Sequence, residues 1–156
     1  MMSEEFGVRS AEPEADGDRM RRFYRELEHT ADWAIEVWGE DLAALFEHAA
    51  EALFEMQGAD LAAEPTVVAS ASCLGIDLET LLVAWLNELL YLSEINDVLF
   101  TRFAVAITGG LEPALTASVS GVPGRGHLAH VKAITYYHLT VEQGAEGWRA
   151  TVTFDT

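Results

Sequence analysis

Four groups of residues in this chain have the types and spacing to do chemistry. They are the turn His29-Thr30-Ala31-Asp32, the pair His127 and His130, the single lysine Lys132, and the chain end, Asp155 followed by Thr156 and its carboxylate. Small, turn-forming residues make His29 to Asp32 suitable as a plain reverse connection. The same residues also read as polar groups held at the end of a sheet to bind something, and composition does not choose between the two. His127 and His130 flank a glycine-rich loop but have no third ligand at a readable spacing for a zinc site. His48 lies on the polar face of a helical pattern and reads as solvated. The two carboxylates at the chain end would suit a hard cation such as calcium or magnesium, which prefers several oxygen ligands. Chain ends usually fray, but the alternation of the last strand continues cleanly to Phe154, so these oxygens should stay close to the sheet. There is no phosphate-binding glycine loop, no nucleophile elbow and no HExxH pair.

Lys132 stands out because the other eight bases are arginines. An arginine bias is usually a habit of the whole genome. The informative point is the lysine that remains, a compact point charge that arginine does not replace.

The elements that must position these groups can be read in order. Phe23 to Glu28 and Trp33 to Gly39 are neighbouring strands, the second placing Ile35 and Val37 on one face and Glu36 on the other. Asp41 caps a helix in which Leu42, Leu45, Phe46, Ala49, Ala50, Leu53 and Phe54 form one face, with Gly58 just beyond its end. Pro65 precedes a strand from Thr66 to about Cys73. Asp77 caps a second, very apolar helix to about Ser93, with Ile76 and Leu81 as a hydrophobic staple. That helix must be buried on several sides or meet a partner, and Asn87 and Glu88 read as solvated breaks in its surface. Leu99 to Ile107, Leu115 to Val122, Val131 to Val141 and a last strand through Trp148, Ala150, Val152 and Phe154 complete an α+β domain over residues 22–156. Its two main helices should pack on an antiparallel or mixed sheet. Residues 1–21 lack periodicity and read as a disordered tail.

Composition narrows the function. At 156 residues, 50% of them hydrophobic, the chain can build one real core. No apolar run reaches the ~18 residues of a membrane span, and no signal-peptide pattern opens the chain, so a cytoplasmic location is expected. One cysteine, Cys73, excludes an internal disulfide and a cysteine zinc cage; a small buried hydrophobe is its expected role. The net charge is −17, and residues 23–156 carry 20 acids against five bases. Nucleic-acid binding relies on cationic contacts, so direct RNA or DNA binding is not expected. A basic protein partner or a metal cation fits better; a salt-rich cytoplasm would also account for the acidity.

Several stretches together resemble the archease family. They are His29-Thr30-Ala31-Asp32, Trp38-Gly39 leading to Asp41-Leu42, Leu81 to Leu90 (LLVAWLNELL), Val131 to Tyr136 (VKAITY) and the closing Phe154-Asp155. They occur in the family's order from about Phe23 to the C-terminus. The resemblance implies an activator protein rather than a stand-alone enzyme. Its partner would be an RtcB-type RNA ligase of tRNA splicing and RNA repair, whose guanylylation and multiple turnover it would promote. The resemblance further implies a divalent metal site, for calcium, with ligands at Asp32, Asp155 and Thr156, and a functional role for Lys132. Two positions depart from the family pattern: His130 stands where an acid commonly precedes VKA, and Thr156 where Ile or Val is usual. The alternatives are a metal-dependent hydrolase using Asp32, Asp155 and nearby histidines around a bound water, and an interaction module presenting its apolar second helix.

Overall fold

Asp41 and Asp77 open the two helices, each in an extended conformation with its carboxylate accepting a backbone N–H of the first turn, Ala44 at 2.8 Å and Thr80 at 2.8 Å. These bonds satisfy donors that a helix start otherwise leaves orphaned. The computed structural model describes residues 23–27, 33–124 and 131–156. Within them the elements are β1 (Tyr24–Leu27), β2 (Trp33–Gly39), α1 (Leu42–Met56), β3 (Val67–Leu74), α2 (Leu78–Asn96), β4 (Val98–Thr108), β5 (Ala114–Pro123), β6 (Ala133–Gly144) and β7 (Gly147–Asp155). The expected tail, residues 1–21, lies outside the described residues.

The architecture is α+β, as the succession of patterns predicts, but the strands divide into two sheets. One has the order β1-β2-β7-β6 and the other β3-β5-β4, and every pairing is antiparallel. The chain starts the first sheet, leaves it for α1, β3, α2, β4 and β5, and returns with the β6–β7 hairpin, which places the last strand in the middle. α1 packs against β2 of the first sheet and β4 of the second, while α2 packs against β6 and β3. Both helices therefore bridge the sheets, which explains why their apolar faces are so wide.

The core between them is aromatic and aliphatic. Phe54 meets Phe100 edge-on and Phe103 in a stack, at ring separations of 5.7 and 5.9 Å. Trp85 is fully buried and its indole N–H donates to the carbonyl of Phe46 at 2.9 Å, so its one polar atom is satisfied. Each such side chain contributes about 1.5–3 kcal/mol by burial, before ordering costs. At Gly39 the chain turns from β2 into α1 so tightly that a Cβ would overlap the backbone of Leu45. Glycine is required there by close approach.

Three local expectations need correction. α2 continues past Ser93 to Asn96, ending at Asp97 in a left-handed conformation (φ 54°). Ile76 is 74% exposed, so it is not the buried half of a staple; the cap is closed by Thr80, whose hydroxyl accepts the N–H of Ile76 and of Asp77. Asn87 is half-buried rather than solvated, and it bonds the start of β6.

Candidate functional site

The chain end is held where the alternation of β7 predicts. Trp33, which follows Asp32 in the chain, pairs with Phe154, and Ala133, which follows Lys132, pairs with Asp155. The Lys132 N–H donates to the Asp155 carbonyl at 2.8 Å, extending the ladder by one bond beyond β6. The starts of β2 and β6 thus flank the end of the central strand. Lys132, Asp155 and Thr156 are all exposed. Asp32, like His29, lies outside the described residues, as do His127 and His130.

Two side-chain amides fix the backbone around Lys132. Gln57, 1% exposed at the C-cap of α1, accepts the Val131 N–H at 3.3 Å while its own amide donates to the Leu53 carbonyl. Asn87 accepts the Ile134 N–H at 3.0 Å. The backbone N–H groups of Val131, Lys132 and Ile134 are therefore bound by α1, β7 and α2 in turn, while the lysine side chain faces solvent. Sequence reasoning missed both amides. The available signal was an amide standing inside the apolar run of α2, because a buried polar residue needs a partner.

The remaining chemical groups are used elsewhere. His48 stacks on Phe23 at 4.0 Å, and burial lowers its pKa. Its Nδ1 lies 2.6 Å from the Trp38 carbonyl, which can only accept, so Nδ1 carries the hydrogen. It is a structural imidazole, not a solvated one. Cys73 is half-buried, and its thiol is pushed up to about 11 by burial and then by Glu88, which keeps it unreactive. Glu47, Glu51 and Glu55 form a row along α1. Glu47 accepts the Val105 N–H at 2.9 Å and Glu55 the Tyr24 hydroxyl at 2.6 Å, so the outer two acids bind opposite sheets. Glu51 between them is pushed up to about 7 by burial first and by the two neighbouring carboxylates second. Among the described residues no cluster of three or more His, Cys, Asp or Glu is placed to hold a metal ion.

Comparison with known proteins decides the family. The sequence profile of the archease protein family (MTH1598/TM1083) matches residues 24–156. The chain belongs to the archease family. Relatives within it include the protein archease of Methanosarcina acetivorans, 37% identical over 138 residues that cover 85% of this chain and 94% of the relative. That of Methanopyrus kandleri is 36% identical over 141 residues, 85% of this chain and 98% of the relative. The solution structure of protein 1598 from Methanobacterium thermoautotrophicum superposes with a TM-score of 0.74 at 28% identity, covering 85% of this chain and 98% of that one. Among the described residues, three of the motifs that signalled archease meet in space. The LLVAWLNELL run is the buried part of α2 and supplies Asn87, and VKAITY is the segment that Asn87 and Gln57 hold. Phe154-Asp155 is the strand end that Lys132 bonds. The metal-dependent hydrolase alternative gains no support from these relatives. No helix among the described residues is long and apolar enough to cross a membrane.

Proposed function

We propose that this archease-family chain activates an RtcB-type RNA ligase in tRNA splicing and RNA repair, promoting guanylylation of the ligase and its repeated turnover. The observation that carries the reading is the held segment around Lys132 at the end of the central strand, in a chain that belongs to this family. The lysine meets an acidic group of the ligase or the phosphates of GTP during guanylylation. Its backbone is bound on three sides, so the charge is presented from a fixed base at little ordering cost. The chain is a protein cofactor and does not itself carry GMP.

The exposed Asp155 carboxylate and the main-chain oxygen of Thr156 are groups of the kind a hard divalent cation such as calcium prefers. Asp32, one peptide bond before Trp33, completes the proposed ligand set. A bound cation would supply fixed positive charge at the strand end beside Lys132, which immediately precedes β6. Thr156 would contribute a main-chain oxygen, which its departure from the usual Ile or Val leaves intact.

The test is a ligation assay with purified RtcB-type ligase in excess RNA. Without this chain, product should stop near one turnover per guanylylated ligase; with it, turnover should continue. Lys132→Ala should abolish that stimulation, and Lys132→Arg should impair it, because the guanidinium differs in shape and hydration. Asp155→Ala and deletion of Thr156 should do the same while leaving the fold intact by circular dichroism. Full stimulation by Lys132→Ala would remove the lysine from the mechanism. No stimulation by the wild-type chain would end the activator reading, and hydrolysis of phosphoesters or peptides by the chain alone would favour an enzyme.

A further inference from the structure

β6 is an edge strand, and its pairing with β7 is interrupted part-way along. Between the pairs Thr135↔Thr153 and Thr140↔Thr151 it sets four residues, Tyr136 to Leu139, against the single residue Val152. Tyr136 and Tyr137 are each 61% exposed on this bulge. His138 adopts a left-handed conformation (φ 52°), uncommon outside glycine, and its ring stacks on Tyr137 at 4.0 Å. The Tyr137 N–H donates to the Thr135 hydroxyl at 3.3 Å, which helps hold the bulge in place. Two large phenols thus stand out from the protein at this bulge, four and five residues after Lys132, which immediately precedes β6.

The charge pattern marks this region off from the rest of the chain. Of 26 acids, Glu112 alone lies between Asp97 and Glu142. Residues 131–141 hold no acid, and their only cationic or titratable basic groups are Lys132 and His138.

We propose that the Tyr136–Tyr137–His138 bulge is the docking element by which the chain seats on its partner protein, with the two phenols entering an apolar recess that offers hydrogen-bond acceptors to their hydroxyls. This rests on the activator reading, and the occupant is the ligase. Exposed tyrosines carry a large apolar body and a polar tip at low entropic cost, which is why they dominate binding energy at protein interfaces. A second copy is a poor occupant. Its own charge of −17 opposes approach, and the bulge interrupts the edge that another strand would need for pairing. Single-stranded RNA is also disfavoured. A base could stack on an aromatic ring, but one face of Tyr137 is already covered by His138, and the backbone phosphates would find little beyond Lys132. Tyr136, where the bulge begins, is four residues after Lys132, so their backbones are at most roughly 13 Å apart at the rise of about 3.3 Å per residue of an extended strand. That separation lets one partner meet both the docking element and the lysine.

The experiment measures two quantities with wild type, Tyr136→Ala/Tyr137→Ala and Tyr136→Phe/Tyr137→Phe: direct binding to the purified ligase by calorimetry, and stimulation of ligation as a function of chain concentration. The double alanine variant should weaken binding and raise the half-maximal concentration about ten-fold or more, while its plateau stimulation stays within roughly two-fold of wild type. The double phenylalanine variant, keeping the ring bodies, should fall between them. Unchanged binding by the alanine variant overturns the docking element alone, and so does a lost plateau at unchanged half-maximal concentration. Binding without stimulation by wild type overturns the activator reading while the binding comparison still decides the bulge. No binding by wild type overturns both. RNA binding by the chain alone that the alanine substitutions remove reassigns the bulge to nucleic acid and overturns the proposal.

Discussion

At the scale of single residues, Glu51 and Asn87 show what burial does to polar groups. Glu51 has an ordinary value of 4.5 and is pushed up to about 7 in the fold. The folded state therefore keeps a proton that the unfolded chain releases at lower pH. As pH rises from about 4.5 to 7 the unfolded state binds fewer protons than the native state, so stability falls across that window and levels off above it. Removing the charge removes the loss. Glu51→Gln should match wild type near pH 4 and exceed it by about 2 kcal/mol at pH 8, less than the ~1.36 kcal/mol per pKa unit would give, because partial exposure screens the carboxylate. Denaturant midpoints at the two pH values check this, and equal stabilities at pH 8 would remove the cause assigned to the shift. Asn87 accepts the N–H of Ile134, two residues after Lys132. Asn87→Leu orphans the Ile134 N–H, at a cost of about 1–3 kcal/mol, whereas Asn87→Asp keeps an acceptor. If the amide positions Lys132, the aspartate variant should recover plateau ligase stimulation better than the leucine variant, both compared at a temperature where each is folded. Equal stimulation by the two would leave Asn87 a packing residue only.

At the scale of elements, the helix starts carry more of the local stability than their short sequences suggest. Asp77 and Thr80 exchange bonds across the start of α2, with the Asp77 side chain on the Thr80 N–H and the Thr80 hydroxyl on the Asp77 N–H. Asp77→Ala removes one half of that exchange, along with a negative charge at the helix N-terminus, and should cost about 1–2 kcal/mol in equilibrium unfolding. The apolar staple expected at this cap does not form, since Ile76 is exposed, so Ile76→Ser should be near neutral. A loss above about 1 kcal/mol on Ile76→Ser would reinstate the staple. The β6–β7 hairpin turns through Gly147 at φ 126° and sets the bulge on the edge strand beside the last strand, whose end is the chain end.

At the scale of the whole molecule, charge separates what the chain can bind by itself from what it needs a partner to reach. Residues 23–156 hold 20 acids and five bases. A phosphate backbone would have to displace its counterions for very few cationic contacts, so the chain alone should show no RNA affinity tighter than micromolar, even at low salt where such contacts are strongest. A mobility-shift titration without ligase tests this, and sub-micromolar binding there would defeat the charge argument. In a ligation assay, any dependence on RNA should then track the ligase.

Much of the fold was legible in the sequence because its signals are local. Period-two alternation located β2 and β7, the recurrence of Leu45, Phe46, Ala49, Leu53 and Phe54 located α1, and the Asp41 and Asp77 caps marked two helix starts within a residue. The archease motifs named the family and singled out Lys132, Asp155 and Thr156. The division of the strands into two sheets depends on long-range pairing, as when β7 inserts between β2 and β6, and no periodicity encodes which strands become neighbours. The roles of Gln57, His48 and Asn87 were hidden for the same reason: each is set by a backbone group far away in the chain, Val131, Trp38 and Ile134. The bulge at Tyr136 to Leu139 is likewise a matter of register, which exists only once β6 is paired. Sequence alone identified the family and the chemical groups; only the tertiary structure decided which of them face solvent and which hold the others in place, because burial and hydrogen-bond partners are properties of packed neighbours rather than of residue order.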